Sequence, residues 1–300
     1  MTYSPSNTVT VAAGQTATIK ATISIPAGAA AGTETIGFTA TSGTLTHSLS
    51  ESVTIAAAGP PAPAISSAGV ANGASFAGGA VAPGEIVTIY GSGFGPASIT
   101  TLQLDATGKV VSTLAGTTAT FNGVAAPVIY AVAGQMSVVV PYEVSGSATA
   151  SLQVTYNGLA SNTVTVPVTD AAPGLFTYNS SGTGPLAAAN QDGSTNTAAN
   201  PATAGSVMVF FGTGEGQTSP GGVDGQVANG VYPKPVLPVT ATIGGLPATV
   251  LYYGAAPGDV AGAFQLNVLV PAGVSTGPGV PVSFTVGTKS SQAGVTIAVQ

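Results

Sequence analysis

Along residues 16–25, TATIKATISI, apolar and polar side chains alternate. Ile19, Ala21, Ile23 and Ile25 fall on one face, and Thr18, Lys20, Thr22 and Ser24 on the other. A period of two predicts a half-buried antiparallel strand. Three further strand-like runs, VTVAA, TIGFTA and LTHSLSESVTI, fill the rest of residues 8–55, with the turn-type clusters AAGQ, PAGAAAGT and TSGT between them. A closed immunoglobulin sandwich takes about seven strands. Residues 1–57 therefore read as a partial immunoglobulin-like module whose front half is absent. Ile19, Ile23, Ile25, Ile36 and Phe38 would then make an apolar face with open edges, which predicts fraying or self-association through these strands. The string AAAGPPAPA follows, and its prolines predict an extended spacer over residues 58–64.

Beyond the spacer the pattern repeats. Residues 118–141, TATFNGVAAPVIYAVAGQMSVVVP, return as residues 240–271, TATIGGLPATVLYYGAAPGDVAGAFQLNVLVP. Upstream, PGEIVTIYGSGFGP is echoed by AGSVMVFFGTGEGQ. Gly84 pairs with Gly205, Tyr130 with Tyr252 and Pro141 with Pro271. The offset is steady until the second copy inserts APGDVAGA, and growth confined to one place predicts a surface loop. Residues 65–170 and 171–300 thus read as two copies of one sandwich. Turns are predicted at Asp105 to Gly108, at Asn122-Gly123 and at Asn157-Gly158, because Asn-Gly suits the left-handed backbone of a two-residue hairpin. The second copy opens on a long Asn-, Ser- and Gly-rich approach. No stretch sustains a helical period, apart from a short helical turn predicted near Leu186 to Ala189. The fold class is all-β: tandem immunoglobulin-like β-sandwiches with an internal duplication.

Composition narrows the function. Charged residues are 5% of the chain, all four basic residues are lysines, and the net charge is −6. So few cations cannot neutralise a phosphate backbone or hold an anionic bilayer, which argues against nucleic acid and lipid surfaces as partners. Mean hydropathy is +0.46, yet no run of about 18 apolar residues predicts a membrane span. With no cysteine, disulfides and thiolate metal sites drop out. Met1 opens neither a basic nor an apolar leader segment. The expectation is an export signal upstream, or a chain that is a piece of a longer one.

The strings APGEIVTIYGSGFGP, FNGVAAPVIYAVAGQMSVVVPYEV, APGLF, AAANQDGSTNTAANPATAGSVMVFFGTGEGQTSP and FQLNVLVP carry a family resemblance. From about Ala64 to Gln300 the chain resembles the uncharacterised tandem domain at the C-terminal end of many large secreted acidobacterial proteins. Each half of that domain looks like an IPT/TIG immunoglobulin-like fold. Residues 1–57 resemble the closing strands of a bacterial immunoglobulin-like repeat. The resemblance implies a secreted or cell-surface protein. It transfers no activity and no site residues.

Candidate chemistry is sparse. GSGFG (Gly91 to Gly95) and GTGEG (Gly212 to Gly216) each follow a strand, as a nucleotide-binding loop does. Phosphate cradling needs a helix N-terminus directly afterwards, and Pro96 or Thr218-Ser219-Pro220 stands there instead, so both read as glycine bends joining strands. His47, the single histidine, shares a strand face with Leu45 and Leu49 in the N-terminal module and reads as structural. Glycoside hydrolysis would need two converging carboxylates, and the ten acids are isolated in sequence. Asn190, Asp192 and Asn196 lie in an oxygen-rich string with a central glycine, a weak calcium candidate; with one carboxylate, Asx-type turns are the favoured reading. Tyr252, Tyr253 and Tyr232 are candidates for stacking on a sugar ring, together with Tyr130 and Tyr142. The equivalence of Tyr130 and Tyr252 favours core or corner tyrosines.

The leading expectation is a non-catalytic extracellular structural or adhesion module of a larger protein, without a cofactor, meeting other surface proteins or polysaccharide. A carbohydrate-binding module and an accessory domain of a secreted hydrolase are the alternatives.

Overall fold

Alternating β-branched runs punctuated by glycine build antiparallel sheets almost throughout the chain. The computed structural model describes residues 2–4, 7–26, 29–57 and 61–300. It divides into two compact units, Met1–Pro61 and Ala62–Gln300. The centre of the expected spacer, residues 58–60, lies outside the described residues. Its end does not behave as spacer, because a strand already begins at Ala64.

The first unit departs from a four-stranded half-sandwich. Gly32–Ser42 and Leu45–Ile55 form one long hairpin, while Lys20–Thr22 pairs separately with Thr2–Ser4. VTVAA forms no strand, and only three residues of TATIKATISI do. Ile19, Ile23 and Ile25 remain exposed. An apolar face left uncovered does not hold a ladder together by alternation alone. His47 sits exposed in the hairpin opposite Ala40.

The second unit holds the duplication, and the two copies share their central ladders. Ile86–Ser92 pairs with Gln135–Val139, which pairs with Val128–Val132. In the second copy Val207–Thr213, Ala263–Leu269 and Val250–Ala255 repeat that order. The irregularity between Val128 and Tyr130 recurs between Val250 and Tyr252, so both tyrosines follow the same bulge. On the facing sheets, Thr117–Phe121 with Thr149–Tyr156 corresponds to Val239–Ile243 with Gly277–Val286. A parallel bridge of Val81 with Val168 is matched by one of Ala202 with Val299. Asn122-Gly123 and Asn157-Gly158 turn their hairpins with positive φ at all four residues. Each copy has its own core, around Phe94, Phe121 and Leu152 in the first and around Phe210, Phe264 and Phe284 in the second.

One local expectation fails and another holds only in part. Leu186 to Ala189 is not helical: Ala188–Ala189 is a strand bonded to Phe210 and Val209, since pairing with a buried ladder outweighs alanine's helix propensity. The one helical turn among the described residues is the 3-10 turn Tyr142–Val144.

The inserted APGDVAGA is a surface loop only at its tip, where Pro257, Gly258 and Asp259 are exposed. It joins Val250–Ala255 to Ala263–Leu269 where the first copy makes a tight turn. Ala256 and Val260 are buried, and Val260 belongs to a small core with Ile86, Val110 and Val139 of the first copy. The insertion grew into an interface, which welds the copies into one compact unit.

Candidate functional site at the junction of the copies

The junction is head-to-tail. It sets the entry of the first copy's central strand against the exit of the second copy's equivalent strand. Thr213, at that exit, accepts a hydrogen bond from Ile86 N at 2.7 Å and donates to Gly262 O at 2.7 Å. Its counterpart in the first copy, Ser92, is exposed. Val110 N donates to Gly225 O at 2.8 Å, and Gln217 Nε2 donates to Tyr142 O at 2.8 Å. Backbones approach closely here: a Cβ on Gly262 would stand 2.1 Å from Gly84 O. Tyr142 is held between two glycines, since a Cβ on Gly84 or Gly222 would come within 2.6 Å or 2.2 Å of its ring.

Two glutamates that the sequence shows as isolated are drawn together in this junction. Glu85 is fully shielded, with Oε1 accepting from Asn72 Nδ2 at 2.8 Å and Oε2 from Ala82 N at 2.7 Å. Asn72 Nδ2 also donates to Ala172 O of the second copy at 2.9 Å. Burial pushes the Glu85 carboxyl up to about 8 against the lowering effect of those two hydrogen bonds. Glu215 is 2% exposed, and its Oε2 has no hydrogen-bond partner among the described residues. Burial also pushes Glu215 up to about 8, helped by the nearby Glu85 charge. At neutral pH both carboxyls are therefore held protonated, able to donate as well as accept.

Each glutamate lines a different cavity. Glu85 borders a cleft of about 290 Å³ together with Ala172, Pro173, Lys289 and Gln292. Glu215 borders one of about 230 Å³ together with Tyr142, Val223, Val231, Pro233 and Ala255. Beside the second cavity, Asp224 Oδ1 accepts from Tyr142 N at 3.1 Å. Partial burial and, after it, the neighbouring Glu143 push Asp224 up to about 6. The Tyr142 phenol is pushed well above its ordinary range by burial first, then by Glu215 and Asp224.

Of the residues singled out from sequence, Tyr142 lies in the junction and lines the Glu215 cavity, while the calcium candidates and the other tyrosines lie outside it. Asn190, Asp192 and Asn196 do form a tight loop, but its oxygens are engaged internally. Asn190 Oδ1 accepts from Asn196 Nδ2 at 2.9 Å. Asn196 Oδ1 accepts from Ala298 N at 2.8 Å, while its Nδ2 donates to Ala298 O. Asp192 Oδ1 accepts from Ser194 N at 3.0 Å, an Asx turn. The string thus staples the approach segment to the last strand. Among the described residues no group of three or more His, Cys, Asp or Glu could hold a metal ion.

Tyr252 and Tyr253, adjacent on one strand, face opposite sides of the sheet. The Tyr252 hydroxyl donates to Ala255 O at 2.8 Å. Tyr253 packs on the second copy's core with the Lys234 ammonium 5.5 Å from its ring centre. Tyr232 is exposed. The three rings do not share one face.

The glycine bends serve close approach rather than phosphate. A Cβ on Gly91 would meet Ala64 O and the Phe94 ring; one on Gly212 would meet Gly174 O and the Phe264 ring. Sequence reasoning missed Glu215, although the aligned bends carry the signal: GTGEG places a carboxyl where GSGFG places Phe94.

No protein-family model matches the chain, and no curated protein matches it. Among solved structures it is similar to the crystal structure of gamma-CGTase from Alkalophilic bacillus clarkii. The two share 14% identity at a TM-score of 0.25, over 85% of this chain and 30% of that one. Among the described residues no helix is long and apolar enough to cross a membrane.

Proposed function

We propose that the chain is a structural or adhesion module of a larger secreted or surface protein, whose paired sandwiches act as one stiff body. The observation that carries this reading is the junction. Thr213 bonds across it, Val260 packs under the first copy, and Tyr142 is gripped by glycines from both copies. Tandem sandwiches joined only by a linker would move independently. These two are fixed, which suits a part that sets distance and orientation. The buried acids support the same reading. Glu85 spends both oxygens on structural bonds.

Calorimetry on Ala62–Gln300 tests the stiff body. One transition is expected, lowered as a whole by Phe94→Ala in one copy or Phe284→Ala in the other. Two transitions, each answering to only one substitution, would sink it.

Polysaccharide binding is the second reading, favoured by exposed Tyr232 next to Tyr252, whose phenol feels the Tyr232 charge after burial. Affinity electrophoresis against a panel of polysaccharides decides it. Retardation lost in Tyr232→Ala supports a sugar site, and unaltered mobility in every gel rejects it.

A further inference from the structure

The cavity beside Glu215 is a built site that the structural role leaves unused. It holds about 230 Å³, below the ~300–1,000 Å³ usual for larger ligands. Only a small molecule fits. Its lining is mostly apolar: Val231, Pro233, Ala255 and Ala261, with the Tyr142 ring on one side. Of its polar side chains, Thr218 already donates to Pro220 O at 2.9 Å and Gln226 to Val227 O at 3.0 Å. Glu215 keeps its Oε2 shielded and without a hydrogen-bond partner among the described residues. Leaving such a group unsatisfied is costly. In the first copy the same position is Phe94, wholly buried in core; only the second copy places a polar group here.

This chemistry selects its occupant. No lysine lines the cavity, so an anion gains nothing by entering. A sugar would bring more hydroxyls than the lining has free partners. A carboxyl oxygen, an aromatic face and apolar walls fit a molecule with a single cationic donor on a compact hydrocarbon body. An ammonium would pair with the carboxylate by a charge-assisted hydrogen bond and lie near the Tyr142 ring, which attracts cations. Val223 and Val231, both exposed, stand at the mouth. We infer that this cavity is a binding site for a small hydrophobic primary amine, with the Glu215 carboxyl as the group that receives its ammonium.

Because the carboxyl is protonated in the empty site at neutral pH, binding an ammonium releases a proton from Glu215 to the buffer. The test uses the full chain with cyclohexylamine, and cyclohexanol as its uncharged counterpart. Calorimetric titration at pH 7 in two buffers of different ionisation enthalpy should show saturable binding of the amine with release of up to about one proton. Cyclohexanol should bind far more weakly. Glu215→Gln, which keeps the shape, should weaken amine binding about tenfold or more and abolish the proton release. Should that variant fail to fold, a wild-type crystal soaked in cyclohexylamine gives the answer, with the nitrogen expected at Glu215 Oε2. The inference is overturned by equal binding of amine and alcohol, by amine binding that survives in folded Glu215→Gln, by no saturable binding, or by a soaked crystal with water alone in the cavity.

Discussion

The two glycine bends occupy the same place in the two copies and have opposite fates. Phe94 and Glu215 align, each in the bend that follows its copy's central strand, and both are buried. Phe94 closes the first copy's own core. Glu215 lies at the junction, and its job inside the second core is taken by Phe264, whose ring covers Gly212 as the Phe94 ring covers Gly91. The same asymmetry runs through the other pairs. Thr213 is buried and bonded across the junction while Ser92 is exposed; Gly84 abuts Tyr142 while Gly205 has open space beside it. Identical folds packed head-to-tail present different ends to the contact. Equivalent positions therefore diverge at the junction and stay alike elsewhere.

The sharpest way to break the comparison is to move the carboxyl. Phe94→Glu removes a core aromatic and puts an acid in a dry site, and should cost at least about 4 kcal/mol of stability in urea unfolding. A loss below about 1 kcal/mol would mean that the first bend is no core position.

Next come the paired glycines. Both Gly84 and Gly205 have positive φ, so alanine at either should cost about 1–2 kcal/mol in backbone strain. At Gly84 the added Cβ also strikes the Tyr142 ring, which should add about 1–3 kcal/mol. Equal losses in thermal unfolding would deny the junction its part.

The pH profile sharpens the same contrast. Glu85 and Glu215 are raised in the fold from 4.5 to about 8. Between those values the folded protein binds more protons than the unfolded chain. Their stabilisation is thus full below about pH 4.5, falls as pH rises, and is gone above about pH 8. The slope is at most about 1.4 kcal/mol per pH unit for each carboxyl. Asp224, raised to about 6, acts in the same direction over a lower range. Asp105 and Asp192 are lowered and act oppositely, but both are fully exposed. Melting temperature should therefore drop from pH 5 to pH 8, with a shallower drop in Glu215→Gln. A flat profile in the wild type would show that the acids are not buried together.

The smallest effect concerns the approach loops. Asn72 and Asn190 sit at matching ladder positions, each beginning a loop tied by its own side chain. With the oxygens of Asn190 and Asn196 engaged and one carboxylate at hand, millimolar calcium should leave the melting temperature within about 1 °C, in wild type and in Asp192→Ala alike. A clear rise abolished by Asp192→Ala would reinstate the calcium site.

Much of this was legible in the chain. Strand alternation, the Asn-Gly turns and the repeated strings specify two like sandwiches, because side-chain period and turn conformation are local properties of a few residues. The Asx turn at Asp192 was readable for the same reason, as it needs only near neighbours; the bonds from Asn196 to distant Ala298 were not. Less was legible where partners are remote. The N-terminal runs carry the alternating pattern yet form only a hairpin and a short pair, since a ladder needs a covered face as well as a pattern. Ala188–Ala189 became strand because a buried edge was waiting for it.

The sequence by itself determined the class of fold, the duplication and the scarcity of charge, each written in spacing and composition. Only the tertiary structure decided that APGDVAGA would enter an interface, that Glu85 and Glu215 would be buried together at the junction, and that each would border its own cavity. These depend on how two finished sandwiches dock. The docking surface is assembled from residues far apart in the chain, such as Ile86 with Thr213 and Tyr142 with Gly222. Burial, which sets the state of both acids, is a property of that assembly and of no local stretch.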